Sequence, residues 1–144
     1  MVAILIEPNF SNSTWCRKMY DSLVAGLRSK RIPYCEIFDT YTEKNDGVFI
    51  IASDYEWIRT VIRQFNDQGV KPIVLCNQLE HIAGCLYSCV CSDLNASMQN
   101  LLVTLKRQGK KRIALYGVNR NSISDMGRVN SLYAWREGNC ESMH

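Results

Sequence analysis

The sequence predicts an α/β fold, in which a doubly wound, mostly parallel sheet carries helices on both faces. Short apolar runs recur along the chain without alternating polar residues, which is typical of strands covered on both faces. Between these runs, apolar residues recur at helical spacing. In the clearest example, Ser92 or Asp93 caps a helix that Gly109 ends. The apolar run 113–116 then predicts a buried strand.

The first predicted strand, 2–6, is followed by a polar loop and a helix. The loop, 7–14, consists largely of turn-forming and helix-capping residues. The helix begins near Trp15 and ends before Pro33, and 34–38 predicts the second strand. In such a strand–helix–strand unit, the loop after the first strand lies at the carboxyl edge of the sheet, where open α/β proteins bind ligands.

The third predicted strand, 47–52, follows the second after the short polar connection 39–46. Parallel neighbours normally need a crossover of about a dozen residues or more, and this connection is too short to hold a proper helix. Either the crossover is reduced to a loop, or the second and third strands are not parallel neighbours.

The rest of the chain continues the alternation of helices and strands. In order, the predicted elements are a helix over 54–69, a strand over 72–76, a short strand over 88–91, the helix that ends at Gly109, the strand over 113–116 and a last helix from Asp125. No linker or repeat divides the sequence. It therefore predicts a single α/β lobe over 1–137 and a polar tail over 138–144.

The composition excludes several classes of protein. The net charge of +3 is too small and too dispersed to predict nucleic-acid binding by this chain. No apolar run is long enough to span a bilayer, so no membrane partner is predicted. A signal peptide is not expected, because Glu7 and Pro8 interrupt the opening apolar run. We therefore expect a cytoplasmic protein whose seven cysteines are reduced thiols.

Cys85, Cys89 and Cys91 form a cluster in the sequence. Thiolates are soft metal ligands, so the cluster could hold a metal. No paired CxxC motif supports that interpretation, and packing as small apolar side chains in a buried strand is favoured. The two histidines also offer little for a catalytic triad. We predict no metal, no cofactor and no catalytic residue.

Several motifs resemble one protein family. Asp93, Gly109 and 112–117 (RIALYG) are similar to a helix-then-strand segment in the effector-binding domains of lactose-repressor-type transcription regulators. Other stretches resemble that family's first loop, two of its strands and its effector-binding arginine: 9–15 (NFSNSTW), 46–51 (DGVFII), 71–77 (KPIVLCN) and Arg128. The resemblance covers about 2–137. It implies the amino-terminal lobe of a periplasmic-binding-protein-like domain.

The chain also departs from the family pattern. Ser13 and Thr14 replace a proline and a phenylalanine, and Ser131 and Leu132 replace a glycine and an aromatic residue. The second crossover helix is largely missing, as are the DNA-binding helix-turn-helix and the second lobe. We therefore expect a fragment of a longer regulator that contacts DNA only through a module outside this chain. The resemblance also allows a homodimer.

The resemblance and the strand-end positions together indicate five ligand-binding residues: Asn12, Trp15, Ser53, Asn77 and Arg128. The Trp15 ring could stack on a sugar, the amides and the hydroxyl suit sugar hydroxyls, and the Arg128 guanidinium could hold two adjacent oxygens. Each residue also has a purely structural interpretation. Trp15 could belong to the core and Arg128 to the solvated surface. Asn12 and Ser53 could cap helices, and Asn77 could form a turn.

We expect a non-enzymatic sensor lobe of a transcription regulator, with a sugar or a related polar metabolite as its effector. An exported solute-binding protein shares the fold, but the cysteines and the lack of a signal peptide count against it. A small flavodoxin-like or nucleotide-binding enzyme is the alternative, with a phosphate at 7–14. That loop has no glycine, and neither GxGxxG nor GxxxxGK[ST] occurs. A receiver-like signalling domain would need clustered acids at strand ends, where Glu7 stands alone.

Overall fold

Five parallel strands form one sheet in the computed structural model, which describes residues 1–40, 47–77, 79 and 81–140. The strands are β1 Val2–Ile6, β2 Tyr34–Ile37, β3 Gly47–Ile51, β4 Ile73–Cys76 and β5 Ser88–Cys91. Their order across the sheet is β2-β1-β3-β4-β5, and every ladder between neighbours is parallel. The predicted α/β fold with a mostly parallel sheet is confirmed.

Four helices accompany the strands in the described residues: α1 Thr14–Ser29, α2 Tyr55–Asp67, α3 Leu94–Arg107 and α4 Ile123–Cys140. Three of them begin at a side-chain cap that accepts a backbone N–H three residues on: Ser13 from Cys16, Asp54 from Trp57 and Asp93 from Ala96. Each cap satisfies an amide that has no partner within the helix, which typically contributes about 1 kcal/mol. None of these helices is both long and apolar enough to cross a membrane.

Helices cover both faces of the sheet, as the apolar runs predicted. The α2 face buries the strand residues Ala3, Leu5, Val48, Ile50 and Val74 together with Ile58, Ile62 and Phe65 of the helix. The α1 face buries Ile4, Ile51 and Leu75 together with Cys16, Val24 and Leu27. Successive residues of the central strands are thus buried on opposite faces. This explains why those strands show no polar alternation in the sequence.

β1 lies between β2 and β3, so the second and third strands are not neighbours. Val2 pairs with Tyr34 on one side and with Gly47 on the other. Of the two alternatives for the short connection, the absence of direct pairing is therefore the correct one. Residues 41–46 of that connection lie outside the described part of the chain. The arrangement places a topological switch point at the carboxyl ends of β1 and β3.

The run 113–116 is not a strand, and this prediction was wrong. It pairs with no strand among the described residues, and Tyr116 is fully exposed, at 104%. Ile113 and Leu115 are half-buried and Ala114 is exposed, and all three line a groove against α4. The apolar composition predicted a buried strand, but no residue of the run is fully buried and none has a ladder partner among the described residues, and a strand in a covered sheet needs both.

β5 and α4 differ from the expectation in smaller ways. β5 is the last strand of the described sheet and all four of its residues are exposed, so the predicted burial of Cys89 and Cys91 is wrong. α3 and α4 pack against each other, where α3 buries Met98 and Leu102. α4 continues to Cys140, through the first residues of the predicted tail 138–144. Residues 141–144 lie outside the described part.

Candidate functional site

A cavity of about 460 Å³ opens at the switch point, at the carboxyl edge of the sheet. Three of its walls follow strands: Glu7 comes after β1, Ser53 after β3 and Asn77 after β4. The fourth wall combines the segment before α4 with the first two turns of the helix that follows it, which carry Arg128. Because the connections after β1 and β3 lead to opposite sides of the sheet, their loops diverge and leave this space between them.

Glu7 lines the cavity and accepts hydrogen bonds from the backbone next to it. Its side chain is buried, with 7% exposed, and its Oε2 accepts the backbone N–H groups of Ser53 at 2.8 Å and Asp54 at 3.1 Å. Both amides lie at the start of α2, where the helix dipole also favours a negative group. These hydrogen bonds offset the cost of burying the carboxylate. Glu7 therefore connects β1 to the beginning of α2.

Sequence reasoning noted Glu7 but did not place it in the site. A local signal was present, because an acidic residue directly follows a buried strand at the ligand-binding edge. Its partners were not visible in the sequence, since they are backbone amides 46 and 47 residues away. The charge of Glu7 also reaches the α1 face. Burial, and then this charge, raise the pKa of the Cys16 thiol.

Four of the five predicted site residues line the cavity: Trp15, Ser53, Asn77 and Arg128. The cap of α2 is Asp54, so Ser53 is not used as the helix cap. Asn77 is half-buried directly after β4, and Arg128 reaches the cavity from the second turn of α4. The structure thus brings together side chains from four separate parts of the chain.

Asn12 is the predicted residue that does not reach the cavity. It is exposed, and the neighbouring Ser13 both caps α1 and donates its backbone N–H to the carbonyl of Phe10 at 2.9 Å. This turn directs the chain so that Phe10 faces the cavity. Asn12 is therefore neither a lining residue nor the cap of α1.

Two aromatic rings form one side of the cavity. The centroids of Phe10 and Trp15 are 5.1 Å apart, with their planes tilted by 44°. Both rings also pack against the apolar cluster on the α1 face. The two interpretations of Trp15 are thus compatible, because the indole belongs to the core on one side and lines the cavity on the other. Phe10 was missed, since a single aromatic residue in a polar loop carries no periodic signal.

Hydrogen bonds organise the wall next to α4. Arg128 Nη1 donates to Asp125 Oδ1 at 2.8 Å, and Asp125 Oδ2 accepts the backbone N–H of Asn119 at 3.0 Å. The buried hydroxyls of Ser122 and Ser124 lie 2.9 Å apart. Ser122 also forms an isolated β-bridge with Asp54, which ties this wall to the start of α2.

The lining is rich in hydrogen-bonding groups and carries an excess of negative charge. Four asparagines and three serines supply donors and acceptors: Asn9, Asn77, Asn119, Asn121, Ser53, Ser122 and Ser124. Glu7, Asp54 and Asp125 contribute three carboxylates, against the single cation Arg128. That cation already bonds Asp125. The site is therefore suited to neutral polyhydroxyl or amine-bearing molecules rather than to anions.

The described lining residues contain no cysteine, histidine or lysine. They therefore include no nucleophile with an adjacent base of the Ser–His or Cys–His kind. Across the described part of the chain, no group of three or more His, Cys, Asp or Glu residues is placed to hold a metal ion.

Comparisons with known proteins identified no relative of this chain. No family model, no curated protein and no solved structure matches this chain. The functional assignment therefore depends on the site and on the resemblance described above.

Proposed function

We propose that this chain is a non-enzymatic small-molecule-binding lobe of a transcription regulator, with a sugar or related polyol as its effector. The convergence of Trp15, Ser53, Asn77 and Arg128 on one cavity carries the proposal. These residues were selected from the sequence by their strand-end positions and by the family resemblance, and they lie up to 113 positions apart (15 to 128).

The chemistry of the cavity supports a polyhydroxyl ligand. The rings of Trp15 and Phe10 offer an apolar surface to the C–H face of a sugar, while the asparagine amides supply both donors and acceptors to its hydroxyls. Such sites combine an apolar or aromatic surface with a few placed polar groups. Asp54 Oδ1 already accepts the backbone N–H of Trp57 as the cap of α2, and its Oδ2 is the oxygen that would accept a ligand hydroxyl.

The charge of the cavity favours a neutral or amine-bearing sugar over a phosphorylated one. A phosphate would meet three carboxylates and an arginine whose charge Asp125 already offsets. In a partly enclosed site, each such like-charge contact weakens binding more than it would in open water.

In regulators of this type, the effector favours one arrangement of two lobes, and this changes the position of the DNA-binding module. On this proposal, the present lobe supplies one wall of the cleft. The isolated chain then buries only part of the ligand and binds it weakly, with a Kd on the order of millimolar.

A flavodoxin-like nucleotide-binding enzyme is the second candidate, and the strand order favours it. The order β2-β1-β3-β4-β5 also occurs in flavodoxin-like proteins, which bind their cofactor at the same switch point. The acidic lining counts against this candidate, since a cofactor phosphate would need positive charge or unoccupied helix-terminal amides. At α1 the Ser13 side chain already occupies the amide of Cys16.

Nuclear magnetic resonance of the tryptophan indoles tests the proposal at millimolar affinity. The chain has three tryptophans, and of these Trp15 lines the cavity while Trp57 is on α2. Titration with neutral hexoses, pentoses and amino sugars should shift the indole N–H signal of Trp15 and leave that of Trp57 in place. Trp15→Ala removes this reporter, so its loss of saturable binding is followed through the backbone amide signals, and Trp57→Ala should retain the Trp15 shift in protein that remains folded.

The same titration separates the two candidates. If no sugar in the panel shifts the Trp15 signal, the proposal is wrong. If flavin mononucleotide or a sugar phosphate shifts it at micromolar concentration, the enzyme candidate replaces the sensor.

A further inference from the structure

A pair of cysteine thiols bridges the last two strands of the described sheet. Cys76 ends β4 and Cys89 is in β5, and their sulfur atoms are 3.5 Å apart, within hydrogen-bonding distance for sulfur. The pairing register places Cys76 opposite Cys91 and Cys89 opposite Val74. Because alternate residues of a strand share a face, Cys76, Cys89 and Cys91 all lie on the α2 face of the sheet.

The two thiols differ in their access to solvent. Cys76 is 1% exposed and belongs to the apolar cluster beneath α2. Cys89 is exposed on the edge strand. A small oxidant in solution therefore reaches Cys89 first, and the buried partner is already positioned to react with the product.

We infer that Cys76 and Cys89 are a thiol–disulfide modification site, closed by a peroxide and reopened by a dithiol reductant. A disulfide needs its sulfur atoms at about 2.0 Å, so the pair must approach by roughly 1.5 Å. β5 can supply this movement, because its residues are exposed and its described ladder is to β4 alone.

The chemistry balances with hydrogen peroxide as the oxidant. The Cys89 thiolate attacks one peroxide oxygen, the O–O bond breaks, and the departing hydroxide takes up a proton to become water. Cys89 then carries a sulfenic acid. The Cys76 sulfur attacks the Cys89 sulfur, the S–S bond forms, the S–O bond breaks, and a second water leaves with the Cys76 proton. The two thiols lose two electrons, and the peroxide gains them.

Disulfide formation at this pair depends more on the closeness of the two sulfur atoms than on an acidic thiol. Desolvation of the sulfur raises the pKa of Cys89 and Cys91 adds to the increase, whereas the hydrogen bond from Cys76 acts in the opposite direction. The first step is therefore slow compared with that of an activated cysteine. The second step is intramolecular between adjacent atoms, so the sulfenic acid is trapped before it is oxidised further.

Mass spectrometry of peroxide-treated protein tests the pair directly. Intact protein should lose about 2 Da, the two hydrogens of one disulfide, and dithiothreitol should restore the mass. Trypsin cannot separate the relevant cysteines, because no Lys or Arg lies between Pro72 and Leu105. Cleavage after Glu80 and Tyr87 isolates Cys76 from Cys89, so the bridge should appear as a linked pair of peptides that reductant separates.

Two variants on the same strand give a matched comparison. Cys91→Ser should still lose about 2 Da and yield the linked peptides. Cys89→Ser should retain its mass under the same treatment. Both positions are exposed, so both variants should fold, and the mapping of the unmodified sequence does not depend on either.

The inference fails if the peptide that contains Cys76 stays unlinked while Cys89 accumulates as sulfinic acid. It also fails if the bridge persists in Cys89→Ser, which would assign the partner of Cys76 to Cys91. Neither outcome depends on whether the cavity binds a sugar.

Discussion

The carboxylate of Glu7 holds the backbone of Ser53, whose N–H it accepts at 2.8 Å, and so joins the end of β1 to the start of α2. The same oxygen accepts the N–H of Asp54. Glu7, Ser53 and Asp54 all line the cavity. The shape of the switch point therefore depends on the buried Glu7 carboxylate as well as on the strand order. A residue with this role affects the stability of the lobe and the geometry of the site together.

We predict that Glu7→Ala lowers the free energy of unfolding by about 2 kcal/mol, because two backbone amides lose a buried acceptor. Glu7→Gln should cost less, since its amide oxygen can still accept those hydrogen bonds. Urea denaturation of the two variants measures the difference. Equal losses in both would show that the charge, and not the hydrogen-bond acceptor, is what matters.

Arg128→Ala should separate ligand binding from folding. In the intact protein, its removal leaves ligand oxygens unpaired, and we expect a loss of about 2 kcal/mol, roughly 30-fold in Kd. Its ion pair with Asp125 is a partly exposed contact between residues three apart, so the free energy of unfolding should change by less than about 1 kcal/mol. Calorimetric titration and thermal melts measure the two effects.

Arg59→Ala is the matched control for that variant. Arg59 also pairs with an acid three residues away, Glu56, but it lies on α2 and does not line the cavity. It should leave affinity unchanged. Unchanged affinity in Arg128→Ala, with a large drop in melting temperature, would assign Arg128 to the scaffold.

The Tyr20 hydroxyl should lose its proton at a higher pH than an ordinary tyrosine does. Its hydroxyl donates to the Glu36 carboxylate, and this hydrogen bond, with burial and the carboxylate charge as smaller causes, raises the pKa of Tyr20 to about 12. Ultraviolet difference absorbance should show a high-pH tyrosinate transition that is absent in Tyr20→Phe and moves to lower pH in Glu36→Gln. A transition that survives Tyr20→Phe would belong to another residue.

The same shift predicts a loss of stability at alkaline pH. The folded protein keeps a proton that the unfolded chain releases from about pH 10, so the contribution of Tyr20 is complete below about pH 10. It is lost as the pH rises towards about 12. The fall in unfolding free energy over this range should be smaller in Tyr20→Phe.

Two substitutions in the second half of the chain test whether residues 113–116 form a buried strand. Tyr116→Ser should change the free energy of unfolding by less than about 0.5 kcal/mol, because the side chain is fully exposed. Leu102→Ala on α3 should cost about 2–5 kcal/mol, because Leu102 is completely buried. If Tyr116→Ser costs as much as Leu102→Ala, the run is a buried strand after all.

Local chemistry in the sequence determined the elements that depend on neighbouring residues. The apolar runs of β1, β3 and β4 predicted their strands, and Asp93, one of the two residues predicted to cap α3, is its cap, because capping oxygens act within three residues. The strand-end positions also predicted that Trp15, Ser53 and Asn77 lie at one edge, since the carboxyl ends of parallel strands share an edge, whereas Arg128 was indicated by the family resemblance, because the strand predicted before its loop is absent from the described sheet.

Only the tertiary structure decided the features that depend on distant partners. Three of these features join residues that are far apart in the sequence: the place of β1 between β2 and β3, the acceptor role of Glu7 and the contact between Cys76 and Cys89. The fourth is the run 113–116, which has no ladder partner in the described sheet. A sequence pattern predicts which side chains are buried. It does not predict which backbone groups or side chains they contact, because those contacts depend on how the whole chain packs.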